Sequence, residues 1–306
     1  MKKLILPYKL TQLELKSKET EFASFQDFNR VINESCEAKD KTGKPIFVFI
    51  KNYINKNILY NAYKSMEKAA TSTTNRGAAS GGVRHVGTLK SGKASKVNYV
   101  YKKGETSFTD DNKLKVRSGI AGYFDRSGHY DYCRTTKFNK ENIEKFNDAI
   151  PLIESVDQGF KDLVPERYKK QKQMVLATHP NYRITNTAFT TITINKNWQT
   201  AYHYDDGDYK KGFGNLVAYC KNIEPMYLVL PRYGVGINLK STDLLLLDVH
   251  ELHGNTEYKP LNENAVRLSF VMYYRQNMWK CGSPTEELQR HRLNLRKVYQ
   301  KQAGII

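Results

Sequence analysis

The tightest constraint on this chain is a pair of spaced motifs: His203-Tyr204-Asp205, with His253 further on, and then Arg267-Leu268-Ser269. On a β-strand, residues i and i+2 project from the same side of the pleat, so each motif can present two functional groups to one cavity. Two imidazoles and one carboxylate can occupy one face of an octahedral metal and leave the opposite face open. That donor set suits non-haem Fe(II), which must bind a co-substrate and dioxygen in the free positions. A guanidinium beside a hydroxyl makes a fork of donors suited to a carboxylate. Metal triad plus carboxylate clamp is the signature of an enzyme rather than of packing.

The surroundings of these residues strengthen the reading, since an isolated H-x-D is a weak motif. Residues 243–248 form a short apolar run bounded by Asp243 and Asp248, read as a buried strand that ends just before His250 and His253. Residues 266–274 (V-R-L-S-F-V-M-Y-Y) read as a second buried strand with an arginine at its start. A charge entering such a strand is costly unless paired, so Arg267 is expected to meet an anion. The β-branched run 189–195 (F-T-T-I-T-I-N) reads as a strand leading towards His203.

The order strand, N-x-N, H-x-D, H-G and R-x-S resembles the Fe(II)/2-oxoglutarate-dependent dioxygenases over roughly residues 180–276. Upstream, Arg117-Ser118-Gly119-Ile120-Ala121-Gly122-Tyr123 and Tyr132-Cys133-Arg134-Thr135-Thr136 look most like the TET/JBP-type nucleic-acid base oxygenases, many of them viral. Nothing in the chain resembles the Cys-rich region of the animal members. The resemblance implies an α+β fold with a double-stranded β-helix, or jelly-roll, core and flanking helices. It implies a reaction that couples oxidative decarboxylation of 2-oxoglutarate to hydroxylation, with Fe(II), 2-oxoglutarate and dioxygen required. Carried over by position, His203, Asp205 and His253 would be the catalytic metal ligands. Arg267 and Ser269 would hold the distal carboxylate of 2-oxoglutarate, and Asn195 and Asn197 sit where relatives place co-substrate contacts. His250 competes with His253; His253 is preferred because it precedes Gly254 and its spacing to Arg267 fits better. The implied substrate is the 5-methyl group of 5-methylcytosine or thymine in DNA, with Arg117 and Arg134 as candidates for contacting it. Two rival readings are a hydroxylase of a protein side chain or free amino acid, and a catalytically inactive nucleic-acid-binding module.

Charge favours a polyanionic partner. Lys and Arg total 49 against 31 Asp and Glu, a net charge of +18, and 21 tyrosines offer stacking faces for an unpaired base. A chain of 306 residues can bury a substantial core as one dioxygenase domain. Within it, 1–179 reads as an N-terminal elaboration, 180–276 as the core and 283–302 as a C-terminal helix. No N-terminal apolar segment is long enough for a signal peptide or membrane span, so a soluble intracellular protein of cytoplasm or nucleus is expected. Cys36, Cys133, Cys220 and Cys281 lie far apart with no C-x-x-C spacing, so neither a disulfide framework nor a structural zinc is suggested, and a reduced compartment is expected.

Elsewhere, 45–50 reads as an early strand and 55–70 as a helix. Residues 70–97 interleave Gly, Ser and Thr with Arg76, Arg84, Lys90, Lys93 and Lys96, which reads as a mobile basic loop. Residues 139–163 have helical spacing interrupted at Pro151 and Gly159, and a further helix is expected over 165–176. Ser283-Pro284-Thr285-Glu286 is a helix start with a capping box; the helix it opens exposes Arg290, Arg292, Arg296, Lys297 and Lys301.

Overall fold

The computed structural model describes residues 1–73, 76–81, 83–85, 98–102, 105–109, 116–127 and 130–302, with 83–85, 98–102 and 105–109 described by backbone alone. Among the described residues the strands are β1 (Lys2–Leu6), β2 (Arg30–Ile32), β3 (Cys36–Asp40), β4 (Pro45–Ile50), β5 (Thr71–Ser72), β6 (Val83–His85), β7 (Asn98–Lys102), β8 (Glu105–Thr109), β9 (Arg117–Phe124) and β10 (Arg134–Thr135). They continue with β11 (Thr191–Lys196), β12 (Gly214–Lys221), β13 (Leu228–Leu230), β14 (Val235–Ile237), β15 (Leu244–Leu247), β16 (Gly254–Asn255) and β17 (Val266–Tyr273). The helices are α1 (Gln12–Lys18), α2 (Lys56–Met66), α3 (Lys137–Glu141), α4 (Ile143–Asp148), α5 (Ile150–Leu163), α6 (Pro165–Ala177) and α7 (Pro284–Gln302).

A large sheet runs β1-β3-β4-β15-β12-β17-β11-β9-β10, and a smaller one runs β16-β13-β14-β2. Alternation along the strands assigns the two faces of the large sheet. Leu268, Phe270 and Met272 of β17, Ile192 and Ile194 of β11, and Leu244 and Leu246 of β15 turn to one side. There they pack against Leu59, Ala62 and Met66 of α2 and Leu152, Ile153, Val156 and Phe160 of α5. Phe47 and Phe49 of β4 with Leu245 and Leu247 of β15 turn the other way. They meet Leu228, Leu230, Val235 and Ile237 of the small sheet. The result is helices on one face of the sheet and a second sheet on the other, so the strands carry apolar residues in both directions. This is a jelly-roll core with flanking helices.

Two glycines in the R-S-G-I-A-G-Y segment have steric reasons. A Cβ on Gly119 would lie 1.8 Å from the Ala69 carbonyl oxygen, and Gly122 has φ +87 and would place a Cβ 2.6 Å from the Thr190 oxygen. β9 can therefore lie flush against its neighbours and pair with β11, Ser118 opposite Asn195.

Several local expectations need adjusting. The helical run is interrupted beside Pro151, between α4 and α5, with Pro151 in the first turn of α5, where it has no N–H to lose. Gly159 does not interrupt α5; a side chain there would strike Leu244 and Tyr53, so its smallness serves helix–sheet contact. The Ser283 capping box is present: Glu286 N–H donates to Ser283 Oγ at 3.3 Å and Ser283 N–H to Glu286 Oε2 at 2.5 Å. Although the spacing suggested no disulfide framework, Cys133 and Cys281 are bonded. Their separation of 148 residues conceals a proximity created when α7 folds back on the segment after β9. Of the expected basic loop, Lys90, Lys93, Lys96 and the Arg84 side chain lie outside the described residues. No helix among the described residues is long and apolar enough to cross a membrane.

Candidate active site

β17 carries the wall of the site. Opposite the apolar Leu268, Phe270 and Met272, the alternate residues Arg267, Ser269, Val271 and Tyr273 line a cavity of about 380 Å³ between the two sheets. β11 adds Thr193 and Asn195, and the far wall holds His203, Asp205 and His253. The segment carrying His203 and Asp205 is not a full strand, as its spacing suggested, but one bridge. His203 N–H donates to the His253 carbonyl at 3.0 Å and His253 N–H donates back at 3.1 Å, while Asp205 N–H donates to Val249 O at 3.1 Å. One exchange of backbone hydrogen bonds is enough to bring residues fifty positions apart face to face.

The three side chains converge, with one ligating atom from each lying within 4.8 Å of the others. Asp205 is 3.6 Å from His203 Nε2 and 3.7 Å from His253 Nε2, and the two imidazole centroids are 4.4 Å apart. His203 Nδ1 lies 2.8 Å from the Ala201 carbonyl and His253 Nδ1 lies 2.9 Å from the Glu251 carbonyl. A carbonyl oxygen can only accept, so each Nδ1 donates to its carbonyl and each Nε2 is left facing Asp205. Burial, reinforced by the nearness of His203 and only partly offset by Asp205, holds His253 neutral with its pKa down to about 4. A neutral His253 beside His203 and a carboxylate forms a donor set suited to a divalent metal. His250 stands apart, with Nδ1 3.2 Å from Asp248 and Nε2 3.3 Å from the Asp208 carbonyl oxygen.

Arg267 is buried, and among the described residues no carboxylate lies within ion-pair distance of it. Its Nε lacks a hydrogen-bond partner, and the titratable group beside its guanidinium is the neutral Cys220 thiol, opposite it on β12 and hydrogen-bonded to it. Burying an uncompensated guanidinium is costly, so the cavity is built for an anion at this end. Asn195 lines the cavity beside Ser269 and accepts a hydrogen bond from Ser118 Oγ at 2.5 Å. Asn197 does not line it. With φ +54 it turns the chain at the end of β11, its N–H donating to Arg267 O and its Oδ1 accepting from Arg267 N–H at 2.7 Å. It positions the arginine rather than reaching into the cavity.

Arg117 is exposed on β9 and lies away from the cavity, while Arg134 sits at its outer rim, stacked on Tyr130. Arg76 comes inward from the segment read as a basic arm: it lines the cavity and donates to Ser118 Oγ and the Gly119 carbonyl. Asp208 was also missed. It is buried in the cavity wall, with its carboxyl pushed well above the usual range by burial and then by the charge of Asp205. Asp208 was recognisable only as a third acid in the H-Y-D-D-G-D run; Arg76 had no local signal.

Residues 119–276 match the Tet_JBP family model, described as the oxygenase domain of the 2OGFeDO superfamily. The chain belongs to this family. Thymine dioxygenase JBP1 of Trypanosoma brucei brucei is 37% identical over 189 residues, covering 60% of this chain and 22% of that protein. The bifunctional helicase and thymine dioxygenase JBP2 of Trypanosoma brucei brucei (strain 927/4 GUTat10.1) is 30% identical over 279 residues, 90% of this chain and 23% of that protein. The chain thus spans less than a quarter of the length of these curated relatives. Among solved structures, NgTET1 in complex with 5mC DNA aligns with a TM-score of 0.52 at 12% identity, over 92% of this chain and 99% of that one. That likeness concerns the fold. All the cavity residues named above except Arg76 fall inside the family match.

Proposed function

We propose that this chain is an Fe(II)- and 2-oxoglutarate-dependent dioxygenase that hydroxylates the 5-methyl group of a pyrimidine base in DNA, thymine ahead of 5-methylcytosine. The observation that carries the reading is one cavity, in a Tet_JBP oxygenase domain, holding a His-Asp-His cluster at one wall and an unpaired buried arginine at another. Thymine is placed first because the relatives with the higher identities are named thymine dioxygenases.

His203, Asp205 and His253 would hold the iron through Nε2, the carboxylate and Nε2. Bound there with 2-oxoglutarate and dioxygen, the metal supplies the oxidising power for hydroxylating a C–H bond. The protein supplies the rest. Arg267, fixed by Asn197 and joined by the Ser269 hydroxyl, receives the distal carboxylate of 2-oxoglutarate. Val271, Leu216, Leu228 and Val249 give the cavity dry walls that strengthen this contact and keep bulk water from the reacting methyl. A cavity of this size accepts a co-substrate and one base, not a duplex, so the target nucleotide has to leave the stack. The +18 charge draws the polyanion to the surface.

Succinate release and mass spectrometry of digested DNA test the reading directly. Thymine-containing DNA should stimulate 2-oxoglutarate turnover and yield 5-hydroxymethyluracil, with less product from 5-methylcytosine and none from DNA in which uracil replaces thymine. Turnover stimulated by a peptide pool or free amino acids, with no oxidised base in any DNA, would replace this reading with a side-chain hydroxylase.

A further inference from the structure

The cavity has a rim that the chemistry above does not use. Phe124 and Arg275 line the cavity, and the Arg275 guanidinium lies 4.3 Å from the Phe124 ring centroid. The guanidinium of Arg134 lies 5.0 Å from the same ring, and Tyr130 covers it at 3.8 Å. These four side chains make a stacked series, Arg275–Phe124–Arg134–Tyr130, that runs from the cavity wall to a Tyr130 that is 44% exposed. The two arginines differ in one respect. Arg275 is paired with Asp125 at 3.0 Å, whereas among the described residues Arg134 has no carboxylate partner and spends one N–H on the Asp125 carbonyl at 3.2 Å. A half-buried guanidinium held between two rings, with donors to spare and no carboxylate in ion-pair contact among the described residues, is organised for an anion from outside.

The rim is built as a fixed surface. The loop carrying it is bonded to the turn before α7 by Cys133–Cys281, and the Glu287 carboxylate of α7 is buried between Arg126 and the backbone N–H groups of Cys133 and Gly282. His291 and Asn294 of α7 hold Asp131 at 2.7 and 2.6 Å. Glu287 is kept ionised by these partners, which outweigh its burial. α7 thus serves as a splint for the loop, and its exposed Arg290, Arg292, Arg296 and Lys297 add to the positive field on this side.

Building on the proposed function, we propose that Arg134 grips a backbone phosphate of the DNA strand next to the nucleotide that enters the cavity, with Tyr130 and Phe124 holding its guanidinium flat for that contact. The rim captures the strand; the cavity performs the oxidation. This separates two roles that a single loss of activity would confound.

The test is DNA binding by fluorescence anisotropy across a salt series, beside steady-state kinetics, using a fluorescein-labelled thymine-containing strand and its duplex. Arg134→Gln keeps a planar group between the rings but removes the charge. It should lower the slope of log Kd against log salt by about 1, as expected for one lost phosphate contact. The KM for DNA should rise, while kcat at saturating DNA and the KM for 2-oxoglutarate stay at the wild-type values. Arg134→Lys keeps the charge and should keep the slope while weakening affinity. Tyr130→Ala, at an exposed position, should weaken DNA binding with the slope retained. An unchanged slope in Arg134→Gln, in a protein that melts like wild type, would overturn the proposal. So would a rise in the KM for 2-oxoglutarate, which would place Arg134 with the co-substrate. Absence of any oxidised base from the wild-type protein would instead refute the function itself, and unchanged DNA binding by the variants would still count separately against the rim.

Discussion

The two faces of β17 divide the work of this protein. One face presents Leu268, Phe270 and Met272 to α2 and α5 in a continuous apolar core; the other presents Arg267, Ser269, Val271 and Tyr273 to the cavity. The core face is made of interchangeable contacts, each small, summed over many atoms. The cavity that this second face lines holds groups that folding alone does not favour: the Arg267 guanidinium with its idle Nε and, on the other walls, a carboxyl pushed towards its neutral form in Asp208 and the buried imidazole of His253. One strand can serve both because its side chains alternate, so stability on one face is insulated from chemistry on the other.

The comparison breaks most sharply at the metal cluster. His203→Ala or Asp205→Ala should abolish Fe(II)-dependent succinate formation, with more than a hundredfold loss, while the melting temperature stays within a few degrees of wild type. Chelation should do the same reversibly. Retained activity in Asp205→Ala would show that the carboxylate is not a ligand. The opposite face should fail in the opposite way. Phe270→Ala should cost about 3–5 kcal/mol of stability in denaturant titrations, since it leaves a cavity in a packed core. Its residual folded fraction should still bind 2-oxoglutarate normally; an altered affinity would mean the faces are coupled.

Arg267→Ala should raise the 2-oxoglutarate requirement by well over tenfold, because losing one partner of a buried charged contact costs about 2–5 kcal/mol. Apo-protein stability should hold or improve, since an unpaired buried charge is gone; marked destabilisation would make Arg267 a structural residue. The smallest effect concerns pH and lies far from the cavity. Asp40 is buried, which alone would raise its pKa, but hydrogen bonds from Thr42, Tyr8 and the Lys44 backbone hold it down to about 2. A carboxylate depressed in the folded state contributes stability that is complete above its unfolded pKa of 3.8 and lost as pH falls towards 2. Wild type should therefore lose melting temperature faster than Asp40→Asn between pH 4 and pH 2, and parallel curves would contradict the assignment.

Much of this was readable along the chain wherever the signal was local. The apolar runs became β4, β15 and β17, Asn55 capped α2, and Ser283 opened α7 with its capping box. Spacing misled where contacts were not local. The H-x-D motif has strand-like spacing yet stands on a single bridge, because its backbone partner is His253 rather than a neighbouring strand of any length. Asn197 looked like a co-substrate contact, but a positive φ turns it back onto the Arg267 backbone.

By itself, the sequence determined which residues could make strands, which faces of them were apolar, and that two imidazoles, a carboxylate and an arginine were available for one chemistry. Periodicity and residue type are properties of short segments, so they survive reading in one dimension. Tertiary structure alone decided which distant pieces met. It joined Cys133 to Cys281, drew Arg76 into the cavity, set Asp208 in its wall, and stacked Arg134 between Phe124 and Tyr130 at the rim. Those contacts follow from the packing of whole sheets and helices, which no local pattern in the chain encodes.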